Sequence, residues 1–529
     1  MLRKSALIAV VLAALFAAPA TAAEIETIPL EARADDGTAL RGHVYLPVGV
    51  QRPLATVLHL SPYFGGAGYS FKNTEEWSDD VEIAFLLDAG YAVAAFSMRG
   101  TGRSEGCLRL GDATDQRDGY NVIQTIAAQP WSNGNVGMYG HSYPGWSQYL
   151  AAAARPPALK TIVPTSGIVD LWSLLTRRGA PLAAVGSTAF AAFVIGQTGH
   201  QPPEGLEQLA CPDLAVHARE ISENTISGDR TPFYQLRDLR PALTPSPVPV
   251  MSSVGIISGN NDGHILQHEG MWDRLGAART RFVMGQWSHE TPTDHKAGWH
   301  DQVVAWFDQY LRGGPTTVPP GVVEYQDDAD AWHTADRWPP PSSTTTLRLS
   351  RDGAVPESQP VRSFAKTFQS ADNDPGLKTA PDDENGRSYN STCGSTQALF
   401  ASQPFEQDTL LAGNFDIELT LSSTLPGGNL SVFLWRTPGD GSCPDLASSW
   451  FARALMDLRH WQTPGTSRDF PVGLPTKVSL TSQPFAARVR RGERIVVAVG
   501  GGASELEPDL RHPNLTLTGG TLRLPAVSE

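Results

Sequence analysis

Gly140-His141-Ser142-Tyr143-Pro144-Gly145 is the segment of this 529-residue chain whose residue types could do covalent chemistry. Before it, Asn135-Val136-Gly137-Met138-Tyr139 reads as a short buried strand. After it, Trp146 to Ala154 reads as a helix stopped by Pro156-Pro157. A serine on a sharp strand-to-helix turn, with small neighbours that tolerate the strained backbone, projects its Oγ as a nucleophile. The usual pattern is G-x-S-x-G. Here Pro144 holds the place of the second glycine, which comes one residue later, giving G-x-S-Y-x-G. The amide of Tyr143 then points to where an oxyanion would develop. The competing reading is a plain turn, and the flanking strand and helix favour the nucleophile.

A serine nucleophile needs a base to take its proton and an acid to orient that base. On a parallel sheet both follow the serine, acid first, on loops after later strands. The strand predicted to end at Ile257 runs into Ser258-Gly259-Asn260-Asn261-Asp262-Gly263, which offers Asp262. The strand predicted to end at Met284 runs into Gly285-Gln286-Trp287-Ser288-His289, which offers His289. Strand-end placement is the criterion for both. Asp before Gly is also common in plain turns, and His264, His268, His295 and His300 compete with His289. An unperturbed imidazole titrates near ~6.5; a neighbouring carboxylate raises that value and burial lowers it. A second oxyanion donor belongs on the loop Ser61-Pro62-Tyr63-Phe64-Gly65-Gly66, as a glycine amide or the Tyr63 hydroxyl. The residues alone leave both open.

These groups need a scaffold. From Glu24 to about Gly313, apolar runs (Leu54–Leu60, Tyr91–Ser97, Leu159–Val163, Pro249–Ile257, Thr280–Met284) alternate with helical stretches at 81–89, 118–129 and 299–311. Such alternation means a mostly parallel sheet covered on both faces, with ligands bound beyond the carboxyl ends of its strands. The expected catalytic domain comprises 24–170 and 246–314. The Ala-, Leu- and Gly-rich stretch 171–245 reads as an inserted helical cap over the site. Beyond Gly313-Gly314-Pro315, short β-rich segments such as Thr344–Leu349, Phe415–Leu421, Leu430–Trp435, Arg494–Val499 and Leu515–Thr518 are separated by turn residues. They predict an antiparallel sandwich or jelly roll over 315–529.

Composition narrows the surroundings. A net charge of −14, spread along the chain, argues against a nucleic-acid partner. Arg3 and Lys4, the apolar run Ala6–Ala18 and Ala20-Thr21-Ala22 make residues 1–23 a secretory signal peptide, too short in its apolar run for a span. The mature chain is therefore expected to be exported, extracellular or periplasmic, without stable membrane association. Export favours disulfides among the four cysteines, and pairing within each half gives Cys107–Cys211 and Cys393–Cys443. Their spacings match no zinc motif, so neither metal nor cofactor is expected. Asn390, Asn429 and Asn514 form glycosylation sequons.

Three runs carry a family resemblance. Met98-Arg99-Gly100-Thr101-Gly102-Arg103-Ser104-Glu105-Gly106, the stretch Ala128 to Gly140 continuing into Ser142-Tyr143-x-Gly145, and Trp287-Ser288-His289 are similar to signatures of the serine hydrolases that include cocaine esterase and the Xaa-Pro dipeptidyl-peptidases. Asn261-Asp262-Gly263 resembles the family's aspartate turn, and Ala452–His460 a segment of its jelly-roll domain. Pro62-Tyr63 resembles its proline-tyrosine pair, which implies that Tyr63 is the side-chain oxyanion donor. The resemblance implies an α/β-hydrolase fold with a cap, the triad Ser142, Asp262 and His289, and hydrolysis through an acyl-enzyme. Gln286, Glu290 and Pro144 depart from the family pattern without removing a catalytic atom.

Two enzyme readings follow. Thr161 to Trp172 resembles the peptidase branch more than the esterase branch, which implies a short-peptide substrate of Xaa-Pro type. Such an enzyme must neutralise a free amino terminus, and Glu204, Glu207, Asp213, Glu220 and Glu223 of the cap are the candidates. The alternative, a carboxylesterase or acylase acting on small molecules, needs no such group. A binding protein on the same fold is the third reading, disfavoured by the complete triad.

Overall fold

The computed structural model describes residues 24–63, 84–182, 211–256, 270–369, 378–379, 389–390, 397–437, 450–502 and 511–527. The first half builds one ten-stranded mixed sheet. Its strands are β1 (Ile25–Arg33), β2 (Ala39–Pro47), β3 (Leu54–Ser61), β4 (Ala92–Ser97), β5 (Ser132–His141), β6 (Leu159–Thr165), β7 (Val250–Gly255), β8 (Thr280–Gly285), β9 (Val322–Gln326) and β10 (Trp332–Ala335). In space they run β1-β2-β4-β3-β5-β6-β7-β8-β9-β10. From β4 to β9 all neighbours are parallel, while β1, β2 and β10 are antiparallel.

The apolar runs read as buried strands are buried on both faces, and the period of two decides what each residue meets. Leu58, Ala94, Ile162, Val250 and Phe282 join the core under the helices Ala113–Ala127 and Tyr143–Ala153. Their neighbours Val57, Val93, Val163, Met251 and Val283 face Leu86, Leu87, Trp299, Val303, Trp306 and Phe307 on the other side. This is the parallel sheet covered on both faces that the alternation implied, in the α/β-hydrolase arrangement that the resemblance implied. The helix expected from 118 starts earlier, at Ala113, because the Asp112 side chain accepts from Thr114 N at 2.7 Å and caps it.

Two departures stand out. β1 and β2 form an edge hairpin, and β1 is largely exposed, so it lacks the apolar run that marks the inner strands. β9 and β10 extend the first sheet although they lie beyond residue 315, where the sequence reading begins the β domain. The turn at Gly313–Pro315 ends the helix Trp299–Leu311, not the sheet.

Beyond β10 the described residues build mainly an eight-stranded sheet centred on Asn514–Val527 and a four-stranded sheet of Gln397–Ala401, Arg494–Gly500, Asn429–Thr437 and Trp450–Asp457. Their inner faces share one core that includes Leu349, Phe415, Leu430, Val497 and Leu522. The outer face of the smaller sheet (Phe433, Trp435, Leu455) packs on Ala180 and Leu182 of the cap region. Cap helix Pro212–Ser227 begins beside Cys211, whose sulfur lies at bonding distance from Cys107, with the Cα atoms 5.8 Å apart. Cys393 and Cys443 lie outside the described residues. The Asn429 sequon is buried, whereas Asn514 is exposed. No helix among the described residues is long and apolar enough to cross a membrane.

Candidate active site

Ser142 sits between the end of β5 and the helix Tyr143–Ala153 with φ 64° and ψ −121°. A positive φ at a non-glycine residue costs about 1–3 kcal/mol and persists only where the surroundings enforce it. Here Ser142 N donates to Thr165 O at 2.9 Å, and its carbonyl accepts from Gly145 N and Trp146 N at 2.9 and 3.0 Å. The glycines make room for the turn. A Cβ on Gly145 would lie 2.7 Å from Thr165 O and 2.8 Å from Gly167 Cα, and one on Gly140 would lie 2.6 Å from the Pro144 side chain. That explains the shifted glycine: position 145 packs on the chain leaving β6, while Pro144 fits the first helical turn, where no hydrogen bond is asked of its nitrogen.

His289 Nε2 lies 2.8 Å from Ser142 Oγ. Trp287 makes that reach possible. It is fully buried against the ends of β7 and β8, where a Cβ on Gly285 would lie 1.8 Å from its ring and one on Gly255 2.2 Å from its carbonyl oxygen. Burial pushes the His289 pKa down to about 4, so the imidazole is neutral and able to accept a proton at neutral pH. Of the competing histidines, His295 contacts Glu290 Oε2 at 2.5 Å and His300 stacks on Phe85 at 4.0 Å. His264, His268 and Asp262 lie outside the described residues.

The Tyr63 hydroxyl is 3.3 Å from Ser142 Oγ and accepts from Tyr143 N at 3.3 Å. The two groups expected as oxyanion donors therefore lie beside each other, with the Tyr63 hydroxyl next to Oγ. An oxyanion entering there would take the Tyr143 N–H from the tyrosine oxygen and receive the phenolic O–H as well. Gly65 and Gly66, the alternatives, lie outside the described residues.

One neighbour was missed. His141 occupies the variable place of the motif, with its ring centroid 4.6 Å from that of His289. Its Nδ1 lies 3.2 Å from Thr165 Oγ1, and it hydrogen-bonds the His289 main chain. Burial and the neighbouring His289 push its pKa down to about 3, so it sits there as a neutral ring. Nothing in the motif marks that position, because only the fold brings β8's loop over β5.

Other residues singled out in the sequence hold structural contacts. Arg99 is buried and forks onto Asp118 at 2.7 and 2.8 Å while reaching Asp36 and Thr38 at 2.7 and 2.9 Å. Gln286 binds Gln326 and the Ala486 carbonyl, tying the histidine loop to β9 and to the β domain. Glu220 and Glu223 flank Arg219 at 3.9 and 3.8 Å; Glu204, Glu207 and the Asp213 side chain lie outside the described residues.

A parallel sheet with a strained serine after its central strand defines a serine hydrolase of the α/β-hydrolase class. Comparison with known proteins narrows it. Residues 36–291 match the X-Pro dipeptidyl-peptidase (S15 family) profile, and 314–521 match the X-Pro dipeptidyl-peptidase C-terminal non-catalytic domain. A Streptomyces avermitilis protein assigned by name as an Xaa-Pro dipeptidyl-peptidase is 26% identical over 88% of this chain and 76% of its own length. The Rhodococcus sp. cocaine esterase is 26% identical over 60% of this chain and 61% of its own length. The solved structure of an α-amino acid ester hydrolase shares the fold with a TM-score of 0.78, at 18% identity over 99% of this chain and 100% of that one. The chain belongs to the family of serine hydrolases that holds the Xaa-Pro dipeptidyl-peptidases and cocaine esterase.

Proposed function

We propose that the protein cleaves short peptides after a penultimate proline, through Ser142 as nucleophile, His289 as base and Asp262 as the acid that orients it. The observation that carries this reading is the 2.8 Å approach of a buried imidazole to the Oγ of a serine held at positive φ. Ser142 Oγ attacks the scissile carbonyl while His289 Nε2 takes its proton. The oxyanion is held by the Tyr63 hydroxyl and the Tyr143 amide. Collapse expels the amine, which leaves with the proton from His289. Water then releases the acyl group by the same steps in reverse order.

Support for a peptide substrate comes from the family profile over the catalytic half and from the relative spanning most of the chain. The esterase reading draws on the cocaine esterase likeness. One assay separates them: release of p-nitroaniline from Ala-Pro-p-nitroanilide against hydrolysis of a short-chain nitrophenyl ester. Anilide cleavage that disappears when the amino terminus is acylated supports the peptidase. Ester turnover with an inert anilide refutes it. We also place the mature enzyme outside the cytosol with Cys107–Cys211 oxidised, on the basic-then-apolar leader and the seating of those two sulfurs.

A further inference from the structure

His141 fills the place between Gly140 and Ser142 that the elbow motif leaves to any residue. It ends β5 two residues after Tyr139, so the period of two puts both on one face of the strand. On that face Tyr139 belongs to the core that holds Trp287, Trp299 and Phe307. The loop after β8 passes on the same side. It brings the His289 ring centroid to 4.6 Å from that of His141, with the two planes tilted by 52°.

Both nitrogens of the His141 ring have a use. Nδ1 lies 3.2 Å from Thr165 Oγ1, at the end of β6. The hydrogen bond with the His289 main chain is one that favours the protonated ring, which makes the carbonyl the acceptor and the ring the donor. His141 is neutral, its pKa pushed down to about 3, and a neutral imidazole carries one N–H. With Nε2–H given to the His289 carbonyl, Nδ1 is left to accept the Thr165 hydroxyl. The contact with the base therefore sets the tautomer.

These contacts close a ring of atoms through the site. Ser142 Oγ meets His289 Nε2 at 2.8 Å, the His289 carbonyl meets the His141 ring, and one peptide bond joins His141 back to Ser142. Other anchors of the histidine loop lead elsewhere. Gln286 binds Gln326 and the Ala486 carbonyl, Trp287 is buried, and Glu290 holds His295 at 2.5 Å. Those fix the loop to β9, to the β domain and to itself, whereas His141 fixes it to the nucleophile's own strand. The tie matters because a misplacement of about 1 Å between reacting groups can cost about 10²-fold in rate.

We propose that His141 is a positioning residue for the hydrolysis, holding the backbone of His289 where Nε2 can take the Ser142 proton. It acts through the base and not on the substrate, and it rests on the reading of Ser142 and His289 as nucleophile and base. Three substitutions test it. His141→Gln carries an amide N–H to the reach of the lost Nε2, His141→Asn stops at the reach of Nδ1, and His141→Leu fills the space without a donor. Steady-state kinetics on the anilide and the ester, the rate of fluorophosphonate labelling and a melting curve are read for each. The asparagine and leucine variants should lose about 10–100-fold in kcat with KM within about threefold, labelling should slow in parallel, and glutamine should recover to within about fivefold of the unaltered protein. Whichever of the asparagine and leucine variants stays folded carries the comparison with glutamine. Unchanged kcat and labelling in that variant would overturn the proposal. So would a glutamine variant no better than it, or a raised KM at constant kcat, which would set His141 against the substrate. Ser142→Ala measured alongside separates two failures. Activity that survives it refutes the nucleophile reading, whereas an inactive Ser142→Ala beside a fully active His141→Asn refutes the positioning role alone.

Discussion

Replacing Tyr63 by phenylalanine removes one oxygen and leaves the ring in its edge-on contact with Tyr143, whose centroid is 6.4 Å away. The hydroxyl stands 3.3 Å from Ser142 Oγ and takes the Tyr143 N–H in the resting site, so its loss strips one of two donors from the oxyanion position. A donor aimed at charge that develops only in the transition state is worth about 3–4 kcal/mol, or about 10²–10³ in kcat. The resting hydrogen bond is a single neutral one, worth about 1 kcal/mol to the fold. Tyr63→Phe should therefore melt close to the unaltered protein, keep its KM within about threefold, and lose most of its kcat. Steady-state kinetics on the anilide and the ester, with a melting curve, read all three. A kcat unchanged within about threefold would refute the hydroxyl as donor and move the role to an amide of the Gly65–Gly66 pair.

The remaining expectations are briefer. As the proposed base, His289 must be neutral, and its pKa is pushed down to about 4, so kcat/KM should be level from roughly pH 5.5 to 8 and fall through a single limb near pH 4; a limb at the ordinary imidazole value would mean that burial does not dominate. Gly145→Ala would bring a Cβ within 2.7 Å of Thr165 O and 2.8 Å of Gly167 Cα, both main-chain atoms. It should lower stability by about 1–3 kcal/mol and depress kcat by displacing Ser142, and an unperturbed melting curve would contradict the packing argument. Cys107 and Cys211 close a loop with a sequence separation of 104. Reduction, or the paired change to alanine, should cost up to about 4–5 kcal/mol in the chain-entropy account, read as a fall in melting temperature; no fall would show that the sulfurs are not joined in solution.

The inner strands were legible because burial on both faces leaves an unbroken apolar run, as in Leu54–Leu60 and Thr280–Met284. The elbow was legible because strain at Ser142 demands small neighbours, and Gly140 and Gly145 record that demand in the sequence. β1 was not, since an exposed edge strand needs no such run. β9 and β10 carried no such run either, being short and only partly buried. His289 was singled out by its place after a strand, though position alone left five histidines between 262 and 300. The sign of its pKa shift was not readable, because a carboxylate and burial act in opposite directions; burial around the folded imidazole lowers it. His141 was invisible as a neighbour of the site because the segments that bring it to His289 are far apart in sequence, and no local spacing signals their meeting.

The central claim is that Ser142 is a nucleophile activated by His289, and covalent trapping tests it most directly. The protein is treated with a fluorophosphonate at neutral pH, digested, and the adduct located by mass spectrometry. The account predicts a single stoichiometric adduct on the peptide carrying Ser142, absent in Ser142→Ala and strongly slowed in His289→Ala, with both variants folded. An adduct on another serine, or labelling of Ser142 that is indifferent to His289, would contradict it.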